Sequence, residues 1–334
     1  MKILRLILLI AHIGIFFLLV GMLLNAYVPP KVFPWFNLLS LGFPFLIISY
    51  VILTIFWIIS WKKRAFVFFF LGLLFFNPVL RWVNFSGDKS SDKPDNTIKV
   101  VSFNARNGTF GVKDVEAFVN NQNADVVLLQ EYGGNKEYHF ENLNEAPQTP
   151  IIAIFSKHKI IGHKQLINSD YEYNNAYATQ TDIEIKGKTY RFINLYLQPY
   201  KFEKSMVKLN GSSDEDEKKV KNIIKRLIPT FKMHQEQIVE VRKAIDHSPY
   251  PVILAGDFNS VPNSYEYYHL VDGLQDAFVE AGNGSATSFH DYKLPIRIDY
   301  IFTSKSISPT SYKVDRSVKI SDHYPIIASF NLSK

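Results

Sequence analysis

From Met1 to Phe85 the chain contains no Asp or Glu, and its only basic side chains there, Lys2, Arg5, Lys31, Lys62, Lys63, Arg64 and Arg81, punctuate long apolar runs. Leu6 to Tyr27 carries no charge, and neither does Leu38 to Trp61. A helix needs about 20 residues to cross a hydrocarbon core, so each run is long enough. A third run starts at Ala65 and is extended past Arg81 by Trp82 and Val83, because an Arg near a helix end can carry its charge out to the interface. The chain is therefore expected to open with about three transmembrane helices, at about 6–27, 38–61 and 65–83, within a membrane region spanning 1–85. A cleaved signal peptide is the alternative for the first segment, since Lys2 and Arg5 precede it and Ala26 could end it. The length of that run and the two that follow weigh against it.

Loops on the cytoplasmic side are enriched in Lys and Arg. Lys2 and Arg5 flank the first run and Lys62, Lys63 and Arg64 separate the second from the third, whereas the loop between the first two has Lys31 alone. This places the N-terminus in the cytoplasm and everything after Phe85 outside it. The same distribution disposes of the global charge. The chain is +6 overall, but the stretch up to Phe85 holds +7, leaving 30 of the 37 Lys and Arg against all 31 Asp and Glu. A net of −1 beyond Phe85 gives no general basic footprint for nucleic acid. With no cysteine, disulfides, thiol nucleophiles and zinc–cysteine clusters are excluded.

The segment 86–97, rich in Ser, Asp, Lys, Gly and Pro, reads as a linker. Short β-rich apolar runs then alternate with helical patterns over 98–334, one domain by this reading. Strands are expected at Ile98–Asn104, Asp125–Gln130, Ile151–Ser156, Ala178–Ile185, Tyr190–Leu197, Val252–Gly256, Ile298–Phe302 and Ile326–Phe330, with a hairpin turning at Gly187. Helices are expected at Lys113–Asn121 and Asp214–Asp246, the latter interrupted at Pro229.

Several of these strands end in residues able to do chemistry: Asn104, Glu131, then Asp257 with Asn259, with Asp299 and the pair Asp322–His323 further on. Taken singly, each reads as a turn or cap residue. Their recurrence in one arrangement, polar after apolar strand, is what an α/β fold produces when it gathers a site at one edge of its sheets.

Five short stretches carry a closer match. Ser102–Gly108 (SFNARNG), Leu128–Glu131 (LLQE), Gly256–Ser260 (GDFNS), Arg297–Phe302 (RIDYIF) and Ser321–Pro325 (SDHYP) resemble, in order, the motifs of the endonuclease/exonuclease/phosphatase superfamily. The resemblance covers about 98–332. It implies an α/β fold, a four-layer sandwich of two mixed sheets face to face with helices outside, and hydrolysis of a phosphate ester. That reaction needs charge neutralisation at the phosphoryl oxygens, a positioned water and help for the leaving oxygen. By analogy with the family, Asn104, Glu131 and Asp322 would hold Mg2+ or Mn2+, which take hard oxygen ligands. Asp257 would orient or deprotonate the attacking water and Asn259 would donate to a phosphate oxygen. His323 would contact the phosphate, oriented by Asp299. Many relatives have a His where this chain has Tyr196; the abasic-site endonucleases have Tyr there, so Tyr196 is expected to reach phosphate or metal.

The leading expectation is a membrane-anchored phosphodiesterase outside the cytoplasm, with nucleic acid as its first substrate class. A lipid head group or inositol phosphate is the alternative, and an inactive binding module the third reading. The sequence does not give the oligomeric state.

Overall fold

The computed structural model describes residues 2–85, 96–134, 136–147, 149–167, 175–202, 211, 213–291 and 295–332; the expected linker falls almost wholly outside them. Two helices, Lys2–Leu23 and Trp35–Ile59, are long and apolar enough to cross a membrane. The expected third span is instead a shorter apolar stretch, Arg64–Leu80, broken by a 3-10 turn at Leu73–Phe75. Pro78 accounts for the break, because it lacks an N–H and its ring crowds the carbonyl four residues back, at Leu74. At about 1.5 Å per residue the stretch falls short of a core of about 30 Å by about 4 Å.

The chain folds back on itself twice here. His12 receives the Trp57 indole N–H at 3.0 Å and stacks on Phe68. Gly21 lies against Leu39 and Phe36, and Gly72 against Tyr50. The second helix thus runs antiparallel to the first, and the third stretch returns alongside the first. Their outer faces expose Ile7, Phe17, Phe45, Ile52 and Phe70. Such contiguous apolar exposure is uncommon on a surface that faces water.

Beyond them, two six-stranded sheets stack. With β1 at Val83–Phe85, the strands are β2 Thr97–Asn104, β3 Val126–Gln130, β4 Asn144–Glu145, β5 Ile152–Ser156, β6 Lys159–Ile167, β7 Tyr177–Ile185, β8 Lys188–Tyr196, β9 Val252–Asp257, β10 Leu274–Asp276, β11 Asn283–Ser285, β12 Asp299–Ser304, β13 Ser308–Val314 and β14 Ile326–Asn331. One sheet has the order β13-β14-β2-β3-β5-β4 and the other β10-β12-β9-β8-β7-β6. Each is mixed, with one parallel pair, β2 with β3 and β8 with β9. Each parallel pair is joined by a crossover helix, Val112–Gln122 and Ser213–Asp246. Val100, Leu128 and Ile154 of one sheet face Phe192, Ile253 and Ile301 of the other. Val115 and Val119 cover the first sheet's outer face, and Ile238 and Val241 the second's. These are the four layers the motif resemblance implies.

All eight expected strands are present, and the hairpin turns through Lys186 and Gly187, both at positive φ. The strands with no matching expectation include the edges β6 and β13, whose residues are mostly exposed or half-buried and carry a weak apolar signal. The long helix is not interrupted at Pro229. Lys225, whose carbonyl loses its N–H donor there, is exposed, as is Pro229, so water can satisfy the lost bond.

The helical layer is docked onto the sandwich. Asn37 donates to both Glu266 carboxylate oxygens, at 3.0 and 2.9 Å, and accepts from the Tyr265 N–H at 2.7 Å. Asn25 donates to the Asn263 carbonyl and Arg81 to the Asn263 side chain. Leu41 and Trp82 pack against Val261, Phe289 and Ile298.

Candidate active site

Alternate residues of a strand face opposite sides. On β2, Ile98 and Val100 fill the space between the sheets, so Ser102 and Asn104 follow on that side. The same parity puts Gln130 after Val126 and Leu128, Asn194 and Tyr196 after Phe192, and Asp257 after Ile253 and Ala255. Asp299 pairs directly with Asp257 across β12 and β9. The interlayer therefore turns from apolar to polar at one end of the sandwich, where these side chains oppose one another.

There they are closely joined. The Asn104 amide donates to Glu131 Oε1 at 3.1 Å and to Asp257 Oδ2 at 3.0 Å. The Tyr196 hydroxyl donates to the same Glu131 oxygen at 2.7 Å. Asp257 Oδ1 accepts the Asn259 backbone N–H at 2.8 Å, and His323 Nδ1 lies 2.9 Å from Asp299 Oδ2 with its Nε2 3.8 Å from Asp257. Asp322 pairs with Arg106 at 3.3 Å. Glu131, Asp257, Asn259, Asp322 and His323 line one cavity of about 630 Å³. Asn104, Tyr196 and Asp299 reach it through them, so all eight expected residues converge.

The backbone is bent to achieve this. Arg106, Glu131 and Asn259 have φ of 46°, 42° and 45°, a left-handed region that costs a non-glycine residue energy and tends to be kept where function needs it. Gly256 answers a different constraint: at its φ of 143° a Cβ would stand 1.9 Å from the Leu195 carbonyl oxygen. Only glycine lets β9 approach β8 closely enough to deliver Asp257 beside Tyr196.

Burial dominates the electrostatics. It disfavours charge on His323, but Asp299 and Asp257 outweigh it and raise the imidazole to about 10. Burial and Asp299 push Asp257 up to about 8, against the lowering influence of His323 and the Asn259 N–H. A carboxylate with its proton affinity raised toward neutrality is a competent proton acceptor. Burial first, then Glu131, holds the Tyr196 phenol well above its ordinary value, so it stays a hydrogen-bond donor.

The donor set fits a divalent cation. Glu131 Oε2 accepts no hydrogen bond among the described residues, and Asn104 Oδ1 has spent only one lone pair, on the Arg106 N–H at 3.0 Å. Glu131, Asp257, Asp291 and Asp322 line the cavity together with the cations Arg106, Lys201 and His323, so a divalent cation would supply the further positive charge that a bound phosphate calls for. Asp257, Asp299 and His323 also bring ligand atoms within 4.8 Å of one another, but an imidazolium between two carboxylates already accounts for that cluster.

The Tyr196 hydroxyl is directed to Glu131, the expected metal ligand, and one of the two Asn259 amide N–H groups is committed to the Leu197 carbonyl at 2.9 Å. Residues without an expected role also appear. Arg106 sits inside the SFNARNG stretch, two residues after Asn104. Gln130 and Asn194 bond each other at 2.7 Å between the sheets beneath the site; a polar residue at a core-facing parity was their signal. Asp291, Leu41 and Phe202 line the cavity from segments no motif marks. Lys157 and His158 form a charged turn between β5 and β6. They bind Asn123 and Asp125 at the start of β3, away from Glu131.

The sequence profile of the endonuclease/exonuclease/phosphatase family matches residues 101–323, and a domain of unknown function (DUF8431) matches residues 5–82. No curated protein matches the chain. Among solved structures, the mannosyl-6-phosphatase of Bacteroides thetaiotaomicron VPI-5482 is 17% identical over 70% of this chain and 99% of its own, with a TM-score of 0.51. D. rerio TDP2 complexed with single strand DNA product is 15% identical over 71% and 100%, with a TM-score of 0.50. A family protein from Leptotrichia buccalis C-1013-b gives 16%, 70%, 99% and 0.50. At such identities these neighbours establish the fold. The profile spans more than half of the chain and takes in every residue of the convergent cluster, so the chain belongs to the endonuclease/exonuclease/phosphatase family and is a hydrolase of phosphate ester bonds.

Proposed function

We propose that the chain is a membrane-anchored, divalent-metal-dependent phosphoester hydrolase whose catalytic domain lies outside the cytoplasm. The convergence of Asn104, Glu131, Asp257, Asp299 and His323 on one cavity carries the catalytic part. Glu131, Asn104 and Asp322 would hold Mg2+ or Mn2+, which when bound offsets charge on the phosphoryl oxygens. Asp257 takes the proton of the attacking water, oriented by the Asn259 N–H and the Asn104 amide. The His323 imidazolium, held by Asp299, faces the phosphate and opposes its charge.

The apolar outer faces of the two long helices support the anchor. The orientation is supported by geometry as well as charge: the loop after the first helix and Arg81 both touch the catalytic domain, whereas Lys62, Lys63 and Arg64 begin the returning stretch at the far end, beside Trp57. A nucleic acid substrate is the second reading, favoured by the likeness to the TDP2 structure holding a single strand DNA product.

The test is hydrolysis of bis(p-nitrophenyl) phosphate by the full-length chain in detergent, with Mg2+ or Mn2+ and then with a chelator. Activity should require the metal and fall at least about 100-fold in Glu131→Gln and in Asp257→Asn. Wild-type turnover in either variant refutes that residue's role. A C-terminal alkaline phosphatase fusion should be active, and a reporter active only in the cytoplasm overturns the orientation.

A further inference from the structure

The cavity that holds Asp257 and His323 is walled in part by Leu41, a residue of the second long apolar helix. The connection is short. The loop carrying Asp257 and Asn259 continues directly into Val261, which is 2% exposed and packs with Ile298 against Leu41. The same cavity is lined by Phe202, from the segment after β8, and by Ile223 and Leu227 of the long helix. A ligand whose phosphate lies at the carboxylates and His323 therefore extends its ester substituent among apolar side chains, one of them contributed by the N-terminal helical layer.

This lining discriminates among phosphate esters. A polynucleotide needs cations along its backbone as well as aromatic platforms for its bases; Tyr200, Phe202 and Phe289 offer platforms, but beyond His323 the cations here are Arg106, already paired with Asp322, and Lys201. A sugar phosphate needs polar partners for its hydroxyls, which side chains such as Leu41, Val261, Ile223 and Leu227 cannot give. An aliphatic chain needs only the removal of its surface from water. The helix bearing Leu41 continues with Phe45, Ile48 and Ile52 exposed on its outside, so the cavity borders the surface that a bilayer would cover.

We infer that the substrate is an amphiphilic phosphate ester drawn from the membrane, its phosphate at Asp257 and His323 and its aliphatic substituent along Leu41, Val261 and Ile223. The inference rests on the hydrolase reading above and adds the substrate class.

It is tested with full-length protein in lipid nanodiscs and a series of alkyl p-nitrophenyl phosphodiesters from ethyl to octyl, with Mg2+. Hydrolysis forms the bond from water oxygen to phosphorus and releases p-nitrophenolate, so one assay serves every member. A fully buried CH2 contributes about fourfold, and an octyl to ethyl ratio of kcat/KM of at least about 100 is expected from partial burial of six. Leu41→Gln and Ile223→Gln, on two different helices that line the cavity, should each lower that ratio at least about fivefold. Partition into the disc lipid favours longer esters equally in every variant, and a ratio is indifferent to the fraction of folded protein. Metal-dependent hydrolysis with a flat profile, a ratio unchanged in both variants, or preferential cleavage of a single-stranded oligonucleotide overturns the inference alone. Absence of metal-dependent hydrolysis of any member overturns the hydrolase reading, and the inference with it.

Discussion

Tyr196→Phe removes one oxygen from the site and leaves the buried ring in place. That hydroxyl is one of two donors to Glu131 Oε1, the other being the Asn104 amide, and Glu131 is held at a φ of 42° where its own backbone preference does not keep it. A hydrogen bond to a charged acceptor is worth about 1.5–3 kcal/mol, a factor of about 10 to 150. Because Glu131 is half-buried, water can replace the lost donor, and global stability should fall by no more than about 1 kcal/mol. The loss should instead appear as a poorly held carboxylate. Removing a partner of a metal-ligating group typically costs about 10- to 100-fold in metal affinity or activity. The Mg2+ concentration for half-maximal hydrolysis of bis(p-nitrophenyl) phosphate should therefore rise about 10-fold or more, with kcat largely restored at saturating Mg2+ and the melting curve in chelator nearly unmoved. An unchanged Mg2+ dependence would falsify this account of Tyr196. A melting point lowered by several degrees with normal turnover would make it a packing residue.

Asp299→Asn should lower kcat about 100-fold while leaving the Mg2+ requirement near wild type, since Asp299 acts through His323; a shifted Mg2+ requirement would place Asp299 among the metal ligands. Burial raises Glu266, but the His234 hydrogen bond and charge and the Asn37 amide outweigh it and hold the carboxyl below its ordinary value. Its contribution to stability is therefore present above the unfolded carboxyl pKa and lost as pH falls through the folded one. Asn37→Leu removes two hydrogen bonds to that carboxylate, about 3–5 kcal/mol, and should move the acid limb of the stability profile to higher pH; an unmoved limb in pH-dependent melting refutes the coupling. Gly256→Ala should yield little folded protein, because backbone rather than a flexible side chain meets the new Cβ; soluble, active Gly256→Ala would show that β9 can shift.

Much of this molecule is written locally in its sequence. Uncharged runs such as Leu6 to Tyr27 exceed the length of about 20 residues that a membrane-crossing helix needs, and they fold as helices whose outer apolar faces are exposed. Short apolar β-rich runs mark eight strands, and a polar residue such as Asp257 directly after the run Val252–Gly256 stands out at the strand end. The five motif stretches hold every expected site residue except Tyr196, which ends a strand between the second motif and the third.

What the sequence could not determine is which strand ends meet. Asn104 and Asp257 are 153 positions apart, and their contact depends on the stacking of two sheets, a long-range packing outcome with no local periodicity to announce it. Whether the Tyr196 hydroxyl finds a carboxylate or a phosphate is likewise a matter of the facing sheet, which brings Glu131 to 2.7 Å. Pro229 reads as a helix break in the chain, but in the structure it lies on an exposed face where water can satisfy the freed carbonyl. Leu41, one more apolar residue in an apolar run, comes to line the cavity of Asp257 and His323 through the docking of the helices on the sandwich by Asn25, Asn37 and Arg81. Asn25 and Asn37 are buried at this joint, where a polar group must find its partners within the protein.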